Sequence, residues 1–290
     1  MDKIKGTGVA MVTPFSENFD IDFEALKRLT EHLVSNGVNY LVVMGTTGEN
    51  PTITDFEQSR ILETVKEVNE NRIPVVFGIG GNNTNAIVNR MEQFDYDGVS
   101  AILSASPYYN KPNQAGIINH YTRLADTSKV PIILYNVPGR TGSMMQLDTI
   151  LKLAEHENIV AVKEASGNID HCMSLIKNKP EDFLVLSGDD SYTLPFMSVG
   201  MSGVISVVAN AYPKDFSQMV RYALDGNFEN ARYLHYKLLP MMNAIFEDGN
   251  PGGIKVALNE LNICDTAIRE PLYPIRTEVA AKIKRLAADL

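Results

Sequence analysis

A (β/α)8 TIM barrel with a C-terminal helical appendix is the fold class the sequence predicts, on three observations. Eight short, β-branched apolar runs alternate with longer amphipathic segments up to about residue 225. The runs are apolar nearly throughout, as parallel strands covered on both faces must be. Beyond Gly226 the helical patterns follow one another with no strand between them. The expected organisation is therefore a barrel over 1–225 and a helical domain over 226–290.

The expected strands are 8–13, 40–44, 74–79, 99–104, 131–135, 159–163, 183–187 and 203–207. The first helix, 22–35, opens on the acidic cap Asp22 and carries Leu26, Leu29 and Leu33 at helical spacing. The second, 54–69, begins Thr54-Asp55-Phe56-Glu57, a capping-box pattern. Segments 83–94, 114–126, 147–155 and 169–178 read similarly, and 227–246, 252–261 and 274–290 form the appendix. The alternative, an open doubly wound sheet, usually places a glycine-rich phosphate loop after its first strand. Here that strand runs into Thr13-Pro14-Phe15.

Composition narrows the function classes. A chain of 290 residues with 44% hydrophobic content can bury a large core. With 26 basic against 35 acidic residues and no basic stretch, it lacks the clustered cations that phosphate backbones require, so no nucleic-acid partner is expected. No apolar run approaches the ~18 residues of a membrane span. Met1 to Thr13 lacks the pattern of a signal peptide. Cys172 and Cys264 are far apart and read as two buried thiols, which suits a cytoplasmic protein.

Barrel enzymes keep their reactive groups at the C-terminal ends of the strands. Standing there are Gly45-Thr46-Thr47-Gly48-Glu49, Pro107-Tyr108-Tyr109-Asn110, Tyr135-Asn136-Val137-Pro138-Gly139-Arg140, Lys163-Glu164 and Ser187-Gly188-Asp189-Asp190. Alternation puts Lys163 on one face with Ile159 and Ala161. Taken alone it reads equally as a lysine paired with Glu164 or Asp189, or as a nucleophile toward a carbonyl. Tyr135 alone reads as a packing tyrosine; beside a nucleophilic lysine its phenol can move protons. Arg140 reads as a surface ion pair or as a planar fork for a substrate carboxylate. The Thr46-Thr47 turn is an ordinary tight turn or a cradle of N–H groups for a carboxylate. His32, His120, His156, His171 and His235 have no metal-binding spacing, so no metal is expected. Asp189 and Asp190 at the strand-seven loop would repel phosphate, pointing to a small carboxylate substrate without it.

Together, Gly45-Thr46-Thr47-Gly48-Glu49, Pro107-Tyr108-Tyr109-Asn110-Lys111-Pro112, Tyr135-Asn136-Val137-Pro138-Gly139-Arg140-Thr141-Gly142 and Val162-Lys163-Glu164-Ala165 resemble the dihydrodipicolinate synthase (4-hydroxy-tetrahydrodipicolinate synthase) family of the N-acetylneuraminate lyase superfamily. The resemblance covers the whole chain. It implies a carbon–carbon lyase that condenses pyruvate with L-aspartate 4-semialdehyde in the diaminopimelate route to lysine. No cofactor is implied beyond the covalent imine between Lys163 and pyruvate. By resemblance Tyr135, Thr46 and Tyr109 form a proton relay, with Tyr109 supplied by a neighbouring subunit of a homotetramer built from dimers. Thr46 and Thr47 would hold the pyruvate carboxylate, Arg140 that of the aldehyde, and Gly188 and the backbone of Ile205 would shape the pocket. Another pyruvate-dependent aldolase, acting on N-acetylneuraminate or a 2-keto-3-deoxy sugar acid, is the alternative; Arg140 favours the synthase. The site where lysine inhibits many members carries Asp55, Gln58 and Ala86 here, with Asn50 and Pro51 replacing smaller residues and Asn82 and Tyr108 retained. Weak or absent lysine inhibition is expected.

Overall fold

All eight expected strands form, with displaced ends. In the computed structural model, which describes residues 4–290, they are β1 (Gly6–Ala10), β2 (Tyr40–Val43), β3 (Val75–Gly78), β4 (Ala101–Ala105), β5 (Ile132–Asn136), β6 (Ile159–Glu164), β7 (Leu184–Ser187) and β8 (Gly203–Ser206). They close in sequence order into a parallel barrel. Met1 to Lys3, where the expected barrel domain and the signal-peptide reading begin, lie outside the described residues. The first strand ends earlier than its apolar run because a side chain captures the backbone. Asn210 Oδ1 accepts from Val12 N at 3.2 Å, and Asn210 Nδ2 donates to Ala10 O at 2.8 Å.

Apolar side chains sort into two clusters, as a barrel buried on both faces requires. The inner cluster holds Tyr40, Val42, Val76, Leu103, Ile133, Tyr135, Ala161, Leu186 and Ile205 among others. Tyr40 is accommodated because its neighbour in the ladder is Gly8: a Cβ there would stand 2.1 Å from the Tyr40 ring.

Alternation fails at one place. Between β5 and β6 the register shifts at Ile132/Ile133: Ile132 pairs with Ile159, but Ile133 pairs with Ala161. Val160 is the extra residue, a bulge. Ile159 therefore packs in the outer cluster, while Val160 and Ala161 both lie in the inner one. The expectation that Ile159 shares a face with Ala161 and Lys163 is corrected on this ground.

Two helices begin where their caps predict. Asp22 accepts from Ala25 N at 2.9 Å to start α1 (Phe23–Ser35). Thr54 and Glu57 form both bonds of a capping box at the head of α2 (Asp55–Asn69). Then come α3 (Thr84–Gln93), α4 (Gln114–Thr127), α5 (Pro138–Thr141), α6 (Leu147–Ala154), α7 (Ile169–Asn178), α8 (Thr193–Ser198) and α9 (Pro213–Leu224). Of these, α5, α8 and α9 lie outside the expected helical segments. The tail is α10 (Phe228–Ala244), α11 (Gly252–Glu260) and α12 (Thr277–Ala288). The outer cluster continues without a break from the barrel into the tail through Leu238, Met241, Ile254, Leu258 and Ile283. Among the described residues no helix is long and apolar enough to cross a membrane.

Candidate active site

The site is built where β5 and β6 end. The ladder sets Tyr135 opposite Lys163 and Asn136 opposite Glu164. Above the bulge, Tyr135 and Lys163 face inward. Lys163 is 5% exposed, and its Nζ lies 4.4 Å from the centre of the Tyr135 ring. No hydrogen bond joins Nζ to the phenol oxygen, so proton passage between them needs an intervening group.

Neither carboxylate weighed as a partner for Lys163 reaches it. Glu164, fully buried, accepts from Asn136 Nδ2 and from Ser166 N, both at 2.8 Å, and lies 3.4 Å from His171 Nε2. Asp189 accepts from the amide and hydroxyl of Ser191. Gly188 makes room for the lysine stem. A Cβ there would stand 2.6 Å from Ala165 Cβ and 3.0 Å from Lys163 Cε.

Lys163 looks into a cavity of about 210 Å³ shared by Thr46, Thr47, Tyr135, Arg140 and Gly188. Thr46 to Gly48 make one 3-10 turn whose first internal bond runs from Gly48 N to Gly45 O, at 3.1 Å. The amides of Thr46 and Thr47 precede that bond and find no partner within the turn. The turn is held from below: Thr13 Oγ1 donates to Gly48 O at 2.7 Å, and Asn50 Nδ2 to Met44 O at 2.7 Å. Glu49, with φ 57°, buries its carboxylate against Lys255 Nζ at 2.7 Å and Arg269 N at 2.9 Å. Arg140 stands exposed on α5, carrying no ion pair among the described residues, so the surface-bridge reading is not realised.

Three expected residues sit apart from this group. Tyr109 is 87% exposed, with φ 71°, and is not in the wall of the cavity. Its neighbour Tyr108 lines an adjoining hollow of about 120 Å³ that shares Thr46 and Tyr135. Ile205 packs in the inner cluster away from the cavity wall, and Val207, just past the end of β8, lines it instead. Asp190 does not charge the mouth as expected. It is buried and accepts from Val207 N at 3.0 Å and Val208 N at 2.7 Å, and burial raises its carboxyl to about 6.

Two wall residues escaped the sequence reading. Phe246 and Asn250 come from the segment between α10 and α11, and Asn250 Nδ2 donates to Thr47 Oγ1 at 2.9 Å. The Asn250-Pro251 dipeptide marks a turn in the sequence, but nothing local says that the turn reaches the mouth. A larger cleft of about 310 Å³, between α2 and α3, is lined by Asp55, Gln58, Lys66 and Arg90, outside the barrel and with no nucleophile converging on it. Among the described residues no group of three or more His, Cys, Asp or Glu is placed to hold a metal ion.

The profile described as the Dihydrodipicolinate synthetase family matches residues 3–290. The chain is 47% identical over 288 residues to a 4-hydroxy-tetrahydrodipicolinate synthase of Parabacteroides distasonis, covering 99% of this chain and 97% of that one. It is 46% identical over 291 residues to the synthase of Flavobacterium psychrophilum, covering 100% and 99%. Among solved structures, dihydrodipicolinate synthase from Aquifex aeolicus superposes with a TM-score of 0.94 at 40% identity, covering 98% of this chain and 97% of that one. The chloride-inhibited synthase from Acinetobacter baumannii, complexed with pyruvate, gives 0.96 at 36% identity, covering 99% and 98%.

Proposed function

The chain belongs to the dihydrodipicolinate synthetase family, and from that premise we propose that it condenses pyruvate with L-aspartate 4-semialdehyde through an imine on Lys163. It is an enzyme of the carbon–carbon lyase class, acting as a 4-hydroxy-tetrahydrodipicolinate synthase in the diaminopimelate route to lysine. The observation that carries the chemical reading is the amine itself. Lys163 is buried, pairs with no carboxylate among the described residues, and opens onto a cavity that also holds Tyr135, the Thr46-Thr47 turn and Arg140. The pyruvate bound to the Acinetobacter baumannii relative supports the same substrate here.

The neutral amine of Lys163 attacks the pyruvate ketone. The carbinolamine oxygen is then the group that bridges Nζ and the phenol of Tyr135, and water leaves as protons pass through Tyr135, Thr46 and Tyr109. The protonated imine withdraws electrons, so a methyl proton is lost and an enamine forms. The enamine adds to the aldehyde, and the substrate amino group closes the ring and displaces Lys163. Thr46 and Thr47 hold the pyruvate carboxylate, and Arg140 takes that of the semialdehyde as a bidentate fork. Gly188 and Val207 shape the floor. The reaction needs no cofactor beyond this covalent adduct.

The exposure of Tyr109 supports a homotetramer of dimers in which its ring completes a neighbour's relay. Lysine inhibition is weak or absent. Gln58 is hydrogen-bonded by Arg90, and Asp55 lies 3.7 Å from that same guanidinium, so a cation already occupies these side chains. Half-inhibition by sub-millimolar lysine would refute this point. For the reaction itself, borohydride reduction with pyruvate followed by peptide mass mapping should place the adduct on Lys163. A different lysine, or none, ends the reading.

A further inference from the structure

Behind the reacting pair lies a second pair that the mechanism does not use. Asn136 and Glu164 are the next residues along β5 and β6, both fully buried on the outer side of the barrel. Asn136 Nδ2 donates to Glu164 Oε2 at 2.8 Å. Asn136 Oδ1 accepts from Met145 N at 3.0 Å, which ties down the segment following Arg140. Glu164 Oε1 accepts from Ser166 N, and His171 on α7 faces Oε2. A carboxylate buried among amide donors is an expensive way to fill space.

The bulge at Val160 gives it a purpose. Below the bulge β5 and β6 pair in one register, and above it in another. The lower ladder therefore does not dictate how the upper halves align. A slip of one residue would turn Lys163 out of the barrel. We propose that Asn136 and Glu164 are positioning residues whose side-chain hydrogen bond locks the shifted register, and so holds Lys163 and Tyr135 opposite each other. This rests on Lys163 being the imine-forming residue.

The test uses isosteric substitutions in the full-length protein, with imine formation followed by quenched borohydride trapping of pyruvate at a temperature where each variant is folded. Asn136→Asp sets two carboxylates face to face, and Glu164→Gln removes one acceptor. Each alone should slow trapping about 10²-fold while leaving the KM for pyruvate near its wild-type value, the cost of a small displacement of a reacting group. Combined, they restore the bond with reversed polarity, the amide at position 164 donating to the carboxylate at position 136. The double variant should recover to within about twofold of wild type, inside the ordinary scatter of such energies. Folded single variants that trap at the wild-type rate, or a double variant that stays slow or does not fold, overturn the proposal. If the single variants do not fold, the rate of the double variant decides. Wild-type protein that traps no pyruvate on Lys163 removes instead the reading underneath.

Discussion

At the scale of single residues, room and charge around Lys163 decide the chemistry. Gly188 is the sharpest case, because a methyl group there would stand 3.0 Å from Lys163 Cε with Ala165 closing the other side. Gly188→Ala should therefore lower kcat by about 10²-fold through displacement of the amine, measured by steady-state assay beside a thermal melt. Arg140 is exposed and carries no ion pair among the described residues, so its removal orphans no charge there. Arg140→Ala should raise the KM for the semialdehyde by at least about tenfold, the worth of a charged hydrogen bond, while pyruvate is still trapped on Lys163. Loss of pyruvate trapping in that variant would instead place Arg140 at the first substrate.

At the scale of elements, capping and burial set where helices start and how they respond to pH. His120 of α4 is buried against Thr84 of α3, with Thr84 Oγ1 2.8 Å from Nδ1. Burial, aided by the nearby Arg123, lowers this imidazole to about 4. The unfolded chain then takes up this proton near pH 6.5 while the folded one does not. Stability should fall as pH drops from about 6.5 to about 4, by up to roughly 3 kcal/mol from this group. Urea unfolding over that range should show the slope, and His120→Gln should flatten it; an unchanged slope would assign it to other groups. Caps and turns of this kind were readable because their signals are local: Asp22, Thr54 and Glu57 act within one turn of their own helices. The bulge at Val160 was not readable, because Ile159-Val160-Ala161-Val162 looks equally regular in either register.

At the scale of the whole molecule, the tail supports the mouth. Lys255 of α11 is fully buried, with Nζ 2.7 Å from Glu49, 2.6 Å from Ala267 O and 4.3 Å from the Phe15 ring centre. Lys255→Met leaves Glu49 an uncompensated buried charge and should cost about 3–5 kcal/mol in chemical unfolding. Adding Glu49→Gln should recover part of that loss. Tyr109 is tested by mixing subunits. A hybrid of Lys163→Ala and Tyr109→Phe chains contains one site with its own lysine and a partner's intact tyrosine. Activity in the mixture should exceed the sum of the two parents if the ring acts between chains. No gain would confine Tyr109 to its own subunit or to no role.

The sequence by itself determined the barrel and its helical tail, because apolar periodicity is a property of neighbouring residues, whereas Thr46, Tyr135, Arg140 and Lys163 stood out together only through the family resemblance. Only the tertiary structure decided that Asp190 turns inward to the amides of Val207 and Val208, that Asn250 reaches Thr47 across 203 positions of chain, and that Lys163 faces the cavity only above a one-residue slip. Each of these depends on groups distant in sequence meeting in a buried space, where an unpaired polar atom is too costly to leave and the partner it finds is whichever one closure of the barrel brings near.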